Sequence, residues 1–171
     1  YEYNNPREDR ILTWDFSIEN ESFNVSEASV LGNPTLYQVE SIQADKHYNT
    51  LLVAEEMEEH HKVMVLDLMT GEVLKEDLGD FNRGNDPEGI ALVINKNHQG
   101  YWICTEQSKA DNRFHLYDRK TLEKFATMYL DNVSYTDGIA TLICMENGFC
   151  MLLIMTLGWQ HLNYQKLIRN L

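Results

Sequence analysis

Apolar and polar residues alternate in short runs along the first 140 residues, and the dominant period is two. Leu12, Trp14, Phe16 and Ile18 alternate with Thr13, Asp15, Ser17 and Glu19, which predicts a half-buried strand. Leu51-Leu52-Val53-Ala54-Glu55-Glu56 and Tyr101-Trp102-Ile103-Cys104-Thr105-Glu106 are compact apolar runs that read as strands. Val63-Met64-Val65-Leu66-Asp67 and Phe114-His115-Leu116-Tyr117-Asp118 follow them, with the two aspartates 51 residues apart. Each aspartate opens a polar turn, Met69-Thr70-Gly71-Glu72 or Arg119-Lys120-Thr121, and reads as a turn acid. A further strand leaves each turn, around Val73-Leu74 and Lys124-Phe125-Ala126. Trp14, Tyr101 and Trp102 fall on apolar positions and are expected in the core. No stretch before residue 140 carries the 3.6-residue period of an amphipathic helix.

The strands recur as a unit. Glu40-Ser41-Ile42, Glu88-Gly89-Ile90 and Asp137-Gly138-Ile139 each place an acid two residues before Ile, at spacings of 48 and 49. Four short strands per unit, with turn signals between them, predict an all-β protein built from propeller blades. The chain holds about 3.5 such units, whereas closed propellers take roughly 4–8. An open arc would leave blade faces wet. The expectation is therefore a partial β-propeller: about three four-stranded blades, belonging to a larger ring.

Charge narrows the function. The sequence has 14 Lys plus Arg against 27 Asp plus Glu, a net charge of −13. Such an excess repels phosphate backbones and anionic headgroups, so neither nucleic acid nor membrane is an expected partner. The longest nearly apolar run, Phe149 to Leu157, is far shorter than the roughly 20 residues of a spanning helix. No secretory signal pattern opens the chain, although Tyr1 in place of Met is compatible with removal of a targeting segment. Cys104, Cys144 and Cys150 show neither metal spacing nor a paired framework, and leave the redox compartment open.

Residues on equivalent positions of successive blades lie on one ring, so Glu40, Glu88 and Asp137 should face the channel at similar height. Carboxylates converging there repel unless a cation compensates them. With no Cys or His among them, hard Ca²⁺ is favoured over zinc. Bound metal could polarise a phosphoryl oxygen and activate water. The plainer alternative is that such acids only accept N–H bonds from tight turns. His60 and His61 end the charged run Glu55-Glu56-Met57-Glu58-Glu59 and read more simply as part of a solvated turn. Lys62, Arg83 and Arg113 could touch a phosphate but read as surface residues. No Gly-rich phosphate loop, nucleophile elbow or Cys/His pair is present.

Taken together, Val39-Glu40-Ser41-Ile42-Gln43-Ala44-Asp45, Leu51-Leu52-Val53-Ala54-Glu55-Glu56, Pro87-Glu88-Gly89-Ile90-Ala91-Leu92, Gly100-Tyr101-Trp102-Ile103, Asn112-Arg113-Phe114-His115-Leu116-Tyr117-Asp118-Arg119 and Thr136-Asp137-Gly138-Ile139-Ala140 resemble the C-terminal half of the β-propeller phytases and phytase-like proteins. The resemblance runs from about Asp9 to Ala140. It implies a six-bladed propeller, extracellular or periplasmic, that uses calcium to hydrolyse phosphomonoesters of phytate. It also implies that an N-terminal half of the propeller, carrying most of the Lys, Arg and Tyr residues that grip phosphate, completes the ring. Carried over by motif, Glu40, Glu56, Asp86, Glu88 and Asp137 are the implied calcium ligands, with Glu56 and Glu88 at the chemistry. Ser41 stands where the phytases have Gly. The expected activity is that of a 3-phytase-like phosphomonoesterase, with this chain inactive alone. The rival expectation is a non-catalytic propeller that binds a protein or small ligand, since fold does not fix function.

The last 31 residues change character. Residues 1–140 carry 12 basic and 26 acidic residues, whereas 141–171 carry only Lys166, Arg169 and Glu146 as charges. The words that the resemblance calls for next, Leu-Tyr-Ala-Val and Gly-Val-Ala-Ala-Phe, are absent. A displaced reading frame restores them: Met145-Glu146 then forces Gly, Phe149-Cys150 Leu, Met155-Thr156 Asp, Trp159-Gln160 Ala and Asn163-Tyr164 Leu. The expected organisation is a propeller segment over 1–140 followed by an aberrant, frameshifted and non-native tail over 141–171.

Overall fold

A computed structural model describes residues 6–79, 81, 84–95, 97–109, 112–130, 133–144, 148–155 and 164–169, with side chains described as far as Thr141. The described residues form strands and turns without a helix. None of their elements is a helix long and apolar enough to cross a membrane. An N-terminal hairpin comprises β1 (Leu12–Thr13), β2 (Phe16–Glu19), β3 (Ser22–Val25) and β4 (Ser29–Val30). The first four-stranded sheet holds β5 (Val39–Asp45), β6 (Thr50–Glu55), β7 (Lys62–Asp67) and β8 (Val73–Lys75). The second holds β9 (Asp86–Ile94), β10 (Gly100–Gln107), β11 (Arg113–Asp118) and β12 (Lys124–Tyr129). A three-stranded sheet follows with β13 (Thr136–Cys144), β14 (Gly148–Met155) and β15 (Tyr164–Arg169). Each is an antiparallel meander in chain order. This is the all-β, partial-propeller architecture that the repeat predicts.

Packing follows the repeat. The first strands of the sheets are neighbours, β9 lying against both β5 and β13. Between the first two sheets, Leu52, Ala54, Val63 and Val65 meet Ile90, Trp102, Cys104 and Tyr117. Trp102 is fully buried, and its indole N–H donates to the Arg119 carbonyl at 3.2 Å. A side chain of that size contributes upwards of about 2 kcal/mol by leaving water. Val93, Ile103, Phe114 and Val133 form the core on the other side of the second sheet, with Ile139 against it. The first sheet's remaining face is covered by Ile11, Leu31 and Leu36.

The turn acids behave as expected. Asp67 Oδ1 accepts the N–H groups of Met69 and Thr70 at 2.9 and 2.8 Å, and Asp118 Oδ1 those of Lys120 and Thr121 at 2.9 and 2.7 Å. These backbone bonds favour the ionised carboxylate and hold both groups below the usual carboxylate range.

One expectation needs correcting. Leu12, Trp14, Phe16 and Ile18 do form strand residues or their neighbours, but they are exposed, Ile18 by 77%. The hairpin closes in a two-residue turn at Asn20 and Glu21, both with positive φ, and among the described residues its apolar side chains stay exposed. Period two reported the strand correctly; burial required a partner that alternation cannot supply. Trp14 is accordingly not a core residue, whereas Trp102 is and Tyr101 is half-buried. The strand β13 runs through Ala140 to Cys144 and pairs with β14. Side-chain packing of the expected aberrant tail lies outside the described residues, as does Arg83.

Candidate functional site

Each of the three first strands carries its acid at an interruption of the ladder. In the first sheet Val39 pairs Glu55 and Ser41 pairs Ala54, so Glu40 is an extra residue. In the second, Pro87 pairs Glu106 and Ile90 pairs Cys104, leaving Glu88 and Gly89 opposite Thr105. In the third, Thr136 pairs Met155 and Gly138 pairs Ile154, so Asp137 is extra. A β-bulge bends its strand and re-aims the side chain it carries. Three bulges at equivalent positions turn three acids toward the same region.

Close approach of the sheets there depends on small residues. A Cβ on Gly89 would lie 2.7 Å from the backbone nitrogen and side chain of Ile139, so only glycine lets β13 sit this close. Ser41, at the equivalent position one sheet earlier, uses its hydroxyl instead. It accepts the Ile90 N–H at 3.1 Å and ties β5 to β9.

The five acids singled out in the sequence come within electrostatic reach of one another. Burial pushes Glu56 up to about 7, assisted by a hydrogen bond with Glu40 and by the charges of Glu40 and Asp86. Glu88 is buried and rises to about 9; after burial, the charges of Glu56, Glu40, Asp137 and Asp86 contribute. Burial raises Asp86 as well, opposed by His61 and Lys109, and raises Asp137 against a hydrogen bond from Gln107. The His61 Nε2 atom lies 3.1 Å from Asp86 Oδ1. Acids from all three sheets are thus mutually destabilised as anions.

Two glutamines that the sequence reading passed over organise these acids. Gln38 Nε2 donates to Glu56 and, at 3.4 Å, to Glu40. Gln107 Nε2 donates to Glu88 Oε1 and Asp137 Oδ1, both at 3.1 Å. Gln107 stands 51 residues after Glu56, at the end of the same strand one sheet on. The 51-residue repeat was the signal that could have found it; a search confined to acids could not.

A family model described as Phytase matches residues 24–149, most of the chain. The chain belongs to the phytase family. No curated protein matches it. For this phytase-family chain the acids around the bulges offer carboxylate oxygens, which suit a hard divalent cation. Among the described residues no three His, Cys, Asp or Glu side chains are already drawn together to hold an ion. The all-carboxylate chemistry of the set and the repulsion among its members fit a hard cation such as calcium.

Proposed function

We propose that this phytase-family chain contributes to a calcium-dependent phosphomonoesterase acting on phytate-like substrates, outside the cytoplasm. The observation that carries the reading is the convergence of Glu40, Glu56, Asp86, Glu88 and Asp137 from three sheets, with Glu56, Asp86, Glu88 and Asp137 pushed toward protonation first by loss of water and then by neighbouring acid charges. Those five residues would hold the calcium. Bound there, calcium would supply the positive charge that attracts a phosphate ester and lowers the pKa of a coordinated water. Glu56 and Glu88, the most perturbed of the five, would lie nearest the reacting phosphate. Gln38 and Gln107 would keep neighbouring carboxylates in register. The chain alone is expected to bind calcium but to release little or no phosphate, because three sheets supply only part of a ring.

Phosphate release from phytate, measured with calcium and with EDTA in a ring-complete protein carrying these blades, tests the reading. Calcium-dependent release that disappears in Glu88→Gln supports it; release unaffected by EDTA refutes it. A non-catalytic propeller module is the second reading, since fold does not fix function. It predicts stabilisation by a ligand without phosphate release.

A further inference from the structure

Two other glutamates, Glu55 and Glu106, are fully buried at equivalent positions of consecutive sheets. Each immediately precedes a residue that reaches the acid cluster, Glu56 in one case and Gln107 in the other. Glu55 Oε2 accepts the Tyr37 N–H at 2.6 Å, and its Oε1 accepts the Gln38 N–H at 2.5 Å and the Met57 N–H at 3.4 Å. Gln38 in turn bridges Glu40 and Glu56 through its side chain, and its carbonyl accepts the Glu56 N–H at 2.9 Å. Glu106 Oε1 accepts the Asn85 amide at 2.5 Å and lies 3.3 Å from Arg113 Nη1. Its Oε2 is 2.6 Å from His115 Nε2, whose other ring nitrogen meets Thr127 Oγ1 at 3.1 Å. Asn85 directly precedes Asp86.

We infer that Glu55 and Glu106 are positioning residues that anchor the entries of β5 and β9, and so set where Glu40 and the Asp86–Glu88 pair stand. The bonds of Glu55 to the Tyr37 and Gln38 N–H groups, and of Glu106 to the Asn85 side chain, run to the segments that lead into the acid-bearing strands. A buried carboxylate with several donors is costly to move, which makes it a firm anchor. One short word of sequence, an acid followed by Glu or Gln, therefore does two things: its first residue fixes the neighbouring segment, and its second enters the cluster. The same device appears in two forms. Glu55 grips backbone N–H groups, whereas Glu106 grips the side chain of the residue ahead of Asp86.

This inference rests on the calcium reading for its consequence but not for its geometry, and two measurements on the 171-residue chain separate them. Calcium titrations by calorimetry, at a temperature where every variant is folded, compare the parent with Asn85→Ala, Glu106→Ala and Glu106→Gln. Outer groups that orient ligands typically change metal affinity by about 10–100-fold. Asn85→Ala and Glu106→Ala should therefore weaken calcium by at least about tenfold, while Glu106→Gln, which keeps an acceptor for Asn85, retains most of the affinity. Amide hydrogen exchange over residues 84–88 in EDTA should be faster in Asn85→Ala, which deletes one side-chain bond and leaves the buried carboxylate its other partners. Unchanged exchange in that variant, or parental calcium affinity in both alanine variants, overturns the inference. If the parent binds no calcium but exchange still accelerates in Asn85→Ala, the calcium reading fails and the anchoring role stands.

Discussion

Replacing Asp45 by Asn tests how the first two sheets are fastened at the end of β5 remote from Glu40. Arg119, just beyond β11, places Nε 2.6 Å from Asp45 Oδ2 and Nη2 2.7 Å from Oδ1. Both side chains are almost wholly buried, and the guanidinium also donates to the His98 carbonyl and lies 5.1 Å from the Tyr48 ring centroid. An amide cannot accept both bonds, so the Asp45→Asn variant would leave Arg119 buried and under-compensated. Removing one partner of a buried pair costs about 3–5 kcal/mol. At about 2–4 °C per kcal/mol for a chain of this size, the loss corresponds to a fall in Tm of roughly 6–20 °C. Thermal unfolding followed by calorimetry or circular dichroism at pH 7 reads this directly. Burial by itself would raise the Asp45 pKa, but hydrogen bonds from Arg119 and the His47 N–H outweigh it and hold the carboxyl below the usual range. A depressed folded-state pKa gives stability that is present above the unfolded value of about 3.9 and lost as pH falls through the folded value. The gap between Asp45→Asn and the parent should therefore be full at pH 7 and shrink below about pH 4. The double variant Asp45→Leu/Arg119→Met should recover much of the loss, since an apolar pair leaves no uncompensated charge. A loss in the single variant below about 1 kcal/mol, the value of an exposed ion pair, would refute the argument.

Three further outcomes follow from the same geometry. Glu88 has a folded-state pKa raised to about 9, so its contribution to stability is fully present below the unfolded carboxylate value and lost as pH rises through 9. In EDTA, the pH dependence of Tm should therefore be flatter in Glu88→Gln than in the parent between about pH 5 and 9; parallel curves would contradict the burial and charge clash inferred for Glu88. Gly89→Ala, whose Cβ would meet the Ile139 backbone at 2.7 Å, should destabilise by about 1–3 kcal/mol in denaturant titration, and a neutral result would mean that β9 and β13 are not this close. Phe16→Ser with Phe23→Ser removes a stacked but exposed pair on the N-terminal hairpin. The change should move stability by less than about 0.5 kcal/mol, and a larger loss by thermal melt would show that the hairpin's apolar face is covered.

Period-two alternation, the acids two residues before Ile, and the 51-residue interval between Asp67 and Asp118 suffice to specify strands, turns and repeating sheets, because these depend on local side-chain direction and turn chemistry. They also single out Glu40, Glu88 and Asp137, since a repeat assigns equivalent residues to equivalent places, whereas Glu56 and Asp86 are added by the resemblance to the phytases. Three things required the tertiary structure. The bulges that re-aim Glu40, Glu88 and Asp137 come from pairing between strands, and alternation within one strand does not encode its partner's register. Gln38, Gln107, Glu55 and Glu106 acquire their roles only when segments up to 30 residues apart are brought into hydrogen-bond contact. Burial of an apolar face depends on what lies against it, which is why Trp102 and Trp14, alike in pattern, end in a core and in water.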